Sequence, residues 1–119
     1  MNARATGDAF EQTALERLQD AGLKLLARNF ATRFGELDLV MRDADSLVFV
    51  EVRYRRHLQF GGGAASVGTA KQERIARAAQ AFLQAHPKFA ALPCRFDVIA
   101  FDGEPRSAQC EWLKAAFEV

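Results

Sequence analysis

The decapeptide LVFVEVRYRR, Leu47 to Arg56, constrains the fold of this chain more than any other stretch. Val48, Val50 and Val52 alternate with Leu47, Phe49, Glu51 and Arg53, so the first half of the segment is apolar on both sides of an extended backbone. That pattern belongs to a strand covered on both faces, inside a layered domain. Glu51 breaks the pattern, because an unpaired carboxylate in apolar surroundings is costly and tends to take up a proton. Something in the fold must compensate it.

The flanking sequence supplies the layers. From about Asp8 to Ala21, Phe10, Ala14, Leu15 and Leu18 recur at helical spacing, and Gly22 gives a stop. LKLLARNF reads as a first strand. GELDLVMR alternates, with Leu37, Leu39 and Met41 expected on one side and Glu36, Asp38 and Val40 on the other. DADS is a turn short enough to make the next strand an antiparallel neighbour. After Arg56 comes a loop, HLQFGGGAASVG. A helix follows, with Thr69 as the expected N-cap, Gln72 at the capping-box position, an apolar stripe of Ile75, Ala78, Ala79, Phe82 and Leu83, and an end before Pro87. CRFDVIAF is a further apolar strand, and QCEWLKAAF closes as either a short strand or a helical turn. A helix between the third and fourth strands implies a parallel, right-handed crossover. The expected architecture is α/β, a mixed sheet flanked by helices in the order helix, three strands, helix, one or two strands.

With 119 residues there is room for one domain, and none for two. No apolar run approaches the roughly 20 residues that span a bilayer. MNARATGDAFEQ lacks the apolar core of a signal peptide, so the cytoplasm is the expected compartment and a Cys94–Cys110 disulfide is not; both are expected as small buried residues. The net charge of +1 excludes little, but its distribution is uneven. Acids dominate from Asp8 to Glu51, whereas Arg53, Arg55, Arg56, Lys71, Arg74 and Arg77 face a single acid, Glu73. Acids followed by bases suit a cation held beside a polyanion, and they equally suit an unevenly charged solvated surface.

Period-two geometry puts Glu51 and Arg53 on one side of their strand, roughly 7 Å apart. Asp38 lies on the neighbouring strand. If the register sets it opposite or diagonal to Glu51, two carboxylates reach one ion. At ~4 Å their repulsion is about 4 kcal/mol in an effective dielectric near 20, and a divalent cation would relieve it. All-oxygen ligation favours Mg²⁺ or Mn²⁺, and neither His57 nor His86 has the spacing of a zinc site. Arg53, Arg55, Arg56 and Lys71 could then hold phosphate oxygens, which makes phosphodiester hydrolysis the inferred chemistry.

Plainer readings stand beside each of these. Glu51 could pair with Arg53 or Arg55, and Asp97 with Arg95. Glu11 could be an ordinary helix-flank glutamate and Glu36 a rim residue. Lys71, Arg74 and Arg77 could be a solvated helix face. The glycine run matches no phosphate-binding signature.

Together these residues resemble the YraN-like family, which is assigned by similarity to the restriction-endonuclease-like fold, the PD-(D/E)xK nuclease superfamily. The likeness runs through GDAFEQTALERLQDAGLKLLARN, GELDLVMRD, LVFVEVRYRR, FGGGAASVGTAKQERIARAAQAFL and CRFDVIAFDG, nearly the whole chain. It is similar above all to archaeal Holliday-junction resolvases, whose site combines a helical glutamate, an aspartate after a loop and an ExK pair. Position by position, the resemblance implies Glu11 as the helical acid, Asp38 as the metal aspartate and Glu51 as the ExK acid. Arg53 falls at the lysine position, a departure: arginine keeps the charge but cannot act as a base. Lys71, from the crossover helix, could swing in as a substitute for it.

The resemblance thus implies one restriction-endonuclease-like domain over residues 1–119, with 1–7 disordered. It implies a Mg²⁺- or Mn²⁺-dependent endonuclease acting on DNA rather than RNA, at branched or recombination structures. Asp38, Glu51 and the Val52 carbonyl would hold the metal with help from Glu11, and Arg53 would stabilise developing charge. Arg55, Arg56, Lys71 and Arg74 would bind nucleic acid. A homodimer is expected by analogy, since cutting two strands takes two sites. Two alternatives stay open: a catalytically inactive nucleic-acid-binding module, and a protein-interaction domain using the sheet edge or the Gly-rich loop.

Overall fold

Helix α1 (Ala3–Asp20) stops where the sequence supplies a left-handed residue. Gly22 adopts φ +97°, its N–H bonds to the Gln19 carbonyl at 2.9 Å, and the Leu23 N–H reaches the Leu18 carbonyl at 3.0 Å. Leu18 and Leu23 both enter the core, completing a Schellman C-cap. The computed structural model describes the backbone of residues 3–55, 67–103 and 109–118, and side chains within 7–54, 67–103 and 109–118. Residues 3–7, expected to be disordered, belong to α1; Ala3, Arg4 and Ala5 are strong helix formers and extend it.

Five strands follow: β1 (Lys24–Thr32), β2 (Gly35–Asp43), β3 (Ser46–Arg55), β4 (Cys94–Asp102) and β5 (Gln109–Phe117). They lie side by side in sequence order. The β1–β2, β2–β3 and β4–β5 pairs are antiparallel, and β3–β4 is parallel across helix α2 (Thr69–Ala85), as the connecting helix requires. QCEWLKAAF is therefore a strand, paired with β4.

The helices cover opposite faces. Phe10, Ala14, Leu15 and Leu18 of α1 pack on Leu39, Met41, Val48, Val50 and Val52, together with Ile99 and Phe101. On the other face Ile75, Ala78, Ala79 and Phe82 of α2 pack on Leu37, Val40, Leu47 and Phe49. Phe82 sits edge-on to Phe30 and Phe49, at 5.2 and 6.0 Å between ring centroids. His86 stacks on Phe82 at 4.3 Å with Nδ1 3.0 Å from the Phe82 carbonyl, a packing role.

Four local expectations change. Leu37 faces α2 while Leu39 and Met41 face α1, so the alternation of β2 breaks at Asp38. Across on β1, Asn29 takes φ +54°, a conformation asparagine tolerates better than most residues. Helix α2 is capped by Gly68, and Thr69 is its first residue; the Gln72 side chain reaches back to the Val67 carbonyl at 2.7 Å. Leu83 is half-buried. Cys94 is exposed at the start of β4 and Cys110 half-buried on the last strand, both free, because each sits at or near an end of a strand. No helix of the described residues is long and apolar enough to cross a membrane. The Gly-rich loop expected after Arg56 lies outside the described residues up to position 66.

Candidate functional site

The β2–β3 ladder stops at the Leu39–Val50 pair. One step further the same register would set Asp38 across from Glu51. There the Asp38 carboxylate replaces a backbone acceptor, its Oδ2 taking the Val52 N–H at 2.9 Å. Glu51 shares the α2 side of β3 with Leu47 and Phe49, where alternation puts it. Both acids line a cleft of about 250 Å³ between the sheet and α2, with Ile75 and Ala78 beneath and Phe34, Lys71 and Arg74 around it.

Glu51 is only 7 % exposed. Its charge is tolerated because Lys71 Nζ, one turn into α2, lies 2.9 Å from its Oε1. This is the compensation the strand sequence demanded, and it comes from an element remote in sequence. Asp38 is less well served. Its carboxyl is pushed up to about 8, first by burial and then by the facing Glu51 carboxylate, with Glu11 adding to the effect against the one opposing Val52 N–H. The pair therefore favours holding a proton over carrying two negative charges, and an added positive charge would relieve it.

Glu11 projects from α1 toward the same end of the sheet. Burial raises its carboxyl above the usual range, offset in part by the Asn29 side chain and by Arg28. Arg28 Nε lies 3.8 Å from Glu11 Oε1, close enough for charge attraction and too far for a hydrogen bond. That buried oxygen is left without a hydrogen-bond partner. Arg28 is itself held by the Gln12 side chain at 2.8 Å.

Asp38, Glu51, Lys71 and Arg74 meet at one cleft, and Glu11 acts on it through its charge. Glu36 lines the same cleft at its exposed rim. Arg53 is half-buried further along β3 and is not among the described residues lining the cleft. The side chain of Arg55 and the whole of Arg56 lie outside the described residues. Asp97 is fully buried and belongs elsewhere. It accepts from Arg95 Nε at 3.1 Å, Trp112 Nε1 at 3.0 Å and the Ala115 N–H at 2.9 Å. Arg95 goes on to Asp43 at 2.9 Å, so the pairing anticipated for Asp97 is the core of a structural network that spans an irregularity between β4 and β5. Sequence reasoning passed over Arg28, Asn29 and Phe34. The signals were an asparagine within a strand, where a left-handed residue is affordable, and an aromatic between Arg33 and Gly35 in a turn.

Among the described residues, no group of three or more His, Cys, Asp or Glu side chains is arranged to hold a metal. What the cleft offers is a carboxylate pair. Its donors are all oxygen, the Asp38 carboxyl is raised by burial and by the facing Glu51, and a half-buried third acid, Glu11, that adds to this through its charge has an orphaned oxygen. That donor set fits a hard divalent cation.

The family model for "Uncharacterised protein family UPF0102" matches residues 10–101. A UPF0102 protein of Stutzerimonas stutzeri is 50 % identical over 116 residues, covering 98 % of this chain and 97 % of that one. A UPF0102 protein of Xanthomonas campestris pv. campestris is 56 % identical over 113 residues, covering 95 % and 91 %. Among solved structures, Pyrococcus furiosus SfsA in complex with Ca²⁺ aligns with 99 % of this chain and 66 % of its own, at 16 % identity and a TM-score of 0.42. The matched region takes in α1 from Phe10, all of β1 to β3, α2 and most of β4, and with them every acid of the cleft: the chain belongs to the UPF0102 family.

Proposed function

We propose that this protein is a divalent-metal-dependent nuclease that hydrolyses DNA phosphodiesters, with branched or recombination intermediates as its substrates. The observation that carries the reading is the convergence of Asp38 and Glu51, from adjoining strands, on a cleft where burial first, and the facing Glu51 carboxylate second, raise the Asp38 carboxyl. Asp38 and Glu51 would hold Mg²⁺ or Mn²⁺, with the Val52 carbonyl as a third oxygen, since N–H and C=O of an extended residue open to the same strand edge. When bound, the ion would polarise the phosphorus centre and lower the pKa of a water.

The remaining work falls to the chain itself. Lys71 stands against Glu51 and is placed to stabilise negative charge as it develops on a phosphate, the task assigned by pattern to Arg53. Arg74, exposed on the next turn of α2, is placed to hold a neighbouring phosphate. Glu11, raised and partly orphaned, can take or hold a proton at the edge of the site.

The test is cleavage of linear, flapped and four-way DNA in Mg²⁺ or Mn²⁺, alongside metal titration by calorimetry. Asp38→Ala and Glu51→Ala should each abolish the metal heat and lower cleavage by roughly 10²-fold or more. No metal-dependent cleavage by the wild type, or cleavage unchanged in both variants, rules the reading out. A second reading, binding without cleavage, is favoured by one observation: the Lys71 ammonium already sits where a cation would neutralise Glu51. It predicts DNA affinity that falls steeply with salt and is indifferent to Glu51→Ala.

A further inference from the structure

Beside the acidic cleft, and sharing Phe34 and Arg74 with it, lies a more open hollow of about 380 Å³. Arg33, Phe34, Arg74 and Arg77 line it, with Glu73 as the acid among them. The β1–β2 turn that carries Phe34 is built to hold its shape. The Thr32 hydroxyl donates to the Gly35 carbonyl at 2.7 Å and accepts the Phe34 N–H at 3.0 Å, and Gly35 turns the chain at φ +137°. Phe34 is half-buried, with Arg33 Cζ 4.8 Å and Arg77 Cζ 5.8 Å from its ring centroid.

Cation–π contacts at exposed sites contribute only about 0.5–1 kcal/mol each. That is too little to explain setting two arginines over one ring and a third, Arg74, along the same hollow, where they repel one another with a single acid among them. A flat apolar ring ringed by guanidiniums matches a different partner. Bases stack on aromatic faces and phosphates pair with arginine forks.

We propose that this hollow is a subsite for single-stranded nucleic acid, with an unpaired base stacked on Phe34 and its flanking phosphates on Arg33, Arg74 and Arg77. The strand leads through the shared Phe34–Arg74 wall into the cleft of Asp38 and Glu51. A duplex keeps its bases stacked on one another and offers Phe34 only a backbone. The inference rests on the nuclease reading of the adjoining cleft and narrows its substrate to DNA with an unpaired segment at the scissile bond, such as a flap, a frayed end or an opened junction.

Fluorescence anisotropy of a labelled oligothymidylate and of a blunt duplex of equal length, both in EDTA, tests this. Phe34→Ala should weaken single-strand binding roughly 5- to 100-fold and duplex binding by less than about twofold. Phe34→Leu, which keeps apolar volume without a flat ring, should lose single-strand affinity too. Phe34→Trp should keep it and show added quenching on binding, relative to the wild type with Trp112 alone. Arg33→Ala and Arg77→Ala should each make the salt dependence shallower by about one phosphate contact. Equal loss on both DNA forms, or full single-strand affinity in Phe34→Leu, overturns the subsite. Because EDTA removes cleavage from the readout, a Phe34 effect without metal-dependent hydrolysis keeps the strand site and ends the nuclease reading. Hydrolysis without a Phe34 effect does the reverse.

Discussion

The burial of Asp38 beside the Glu51 carboxylate makes a measurable claim about folding stability. An aspartate ordinarily ionises near 3.8, and in this fold Asp38 does so near 8. Between those values the folded chain keeps a proton that the unfolded chain has released. Stability therefore falls as pH rises through this window and levels off above it. Moving the ionisation that far corresponds to a ceiling of about 6 kcal/mol. The cleft is open to water and Lys71 already neutralises Glu51, so we expect a smaller part of it, about 2–3 kcal/mol. Asp38→Asn removes the titration while keeping an oxygen for the Val52 N–H. In urea melts followed by Trp112 fluorescence, with EDTA present, the variant should gain about 2 kcal/mol more over the wild type at pH 8 than at pH 5. Saturating Mg²⁺ or Mn²⁺ at pH 8 should then stabilise the wild type, by about 2.7 kcal/mol at a hundredfold excess over Kd, and leave the variant unmoved. A variant destabilised equally at both pH values would show that Asp38 carries no electrostatic burden and would refute the reasoning.

Three further substitutions probe the charges that hold the sheet and the cleft. Asp97→Ala strands Arg95, the Trp112 indole N–H and the Ala115 N–H around a fully buried gap; urea denaturation should show a loss of about 3–5 kcal/mol. Asp43→Ala, which removes the outer, part-exposed partner of the same arginine, should cost about 1 kcal/mol or less. Lys71→Met leaves Glu51 buried without its ammonium, and should lower stability by about 1–2 kcal/mol in the same melts while also slowing cleavage.

The elements were readable because their signals are local. Phe10, Ala14, Leu15 and Leu18 announce α1, the valines of β3 announce a two-faced strand, and the short DADS turn makes β2 and β3 neighbours. That adjacency made the meeting of Asp38 and Glu51 possible, and the register that brings it about came from the folded sheet. The break in alternation at Asp38 was not readable, because it comes from a side chain displacing a backbone acceptor and from Asn29 turning left-handed across the ladder. QCEWLKAAF stayed ambiguous for a related reason: its pairing with β4 runs past an irregularity that Asp97 bridges.

What the residues determined unaided was the order of elements, the crossover that makes β3 and β4 parallel, and the presence of a carboxylate inside an apolar strand that something had to answer. Only the folded chain decided what answered it. Lys71 reaches Glu51 because α2 packs Ile75, Ala78 and Phe82 on that face of the sheet, and Arg33 meets Arg77 around Phe34 because the β1–β2 turn comes to rest beside the same helix. Periodicity encodes which way a side chain points; which distant side chain it meets depends on how two packed layers settle against each other.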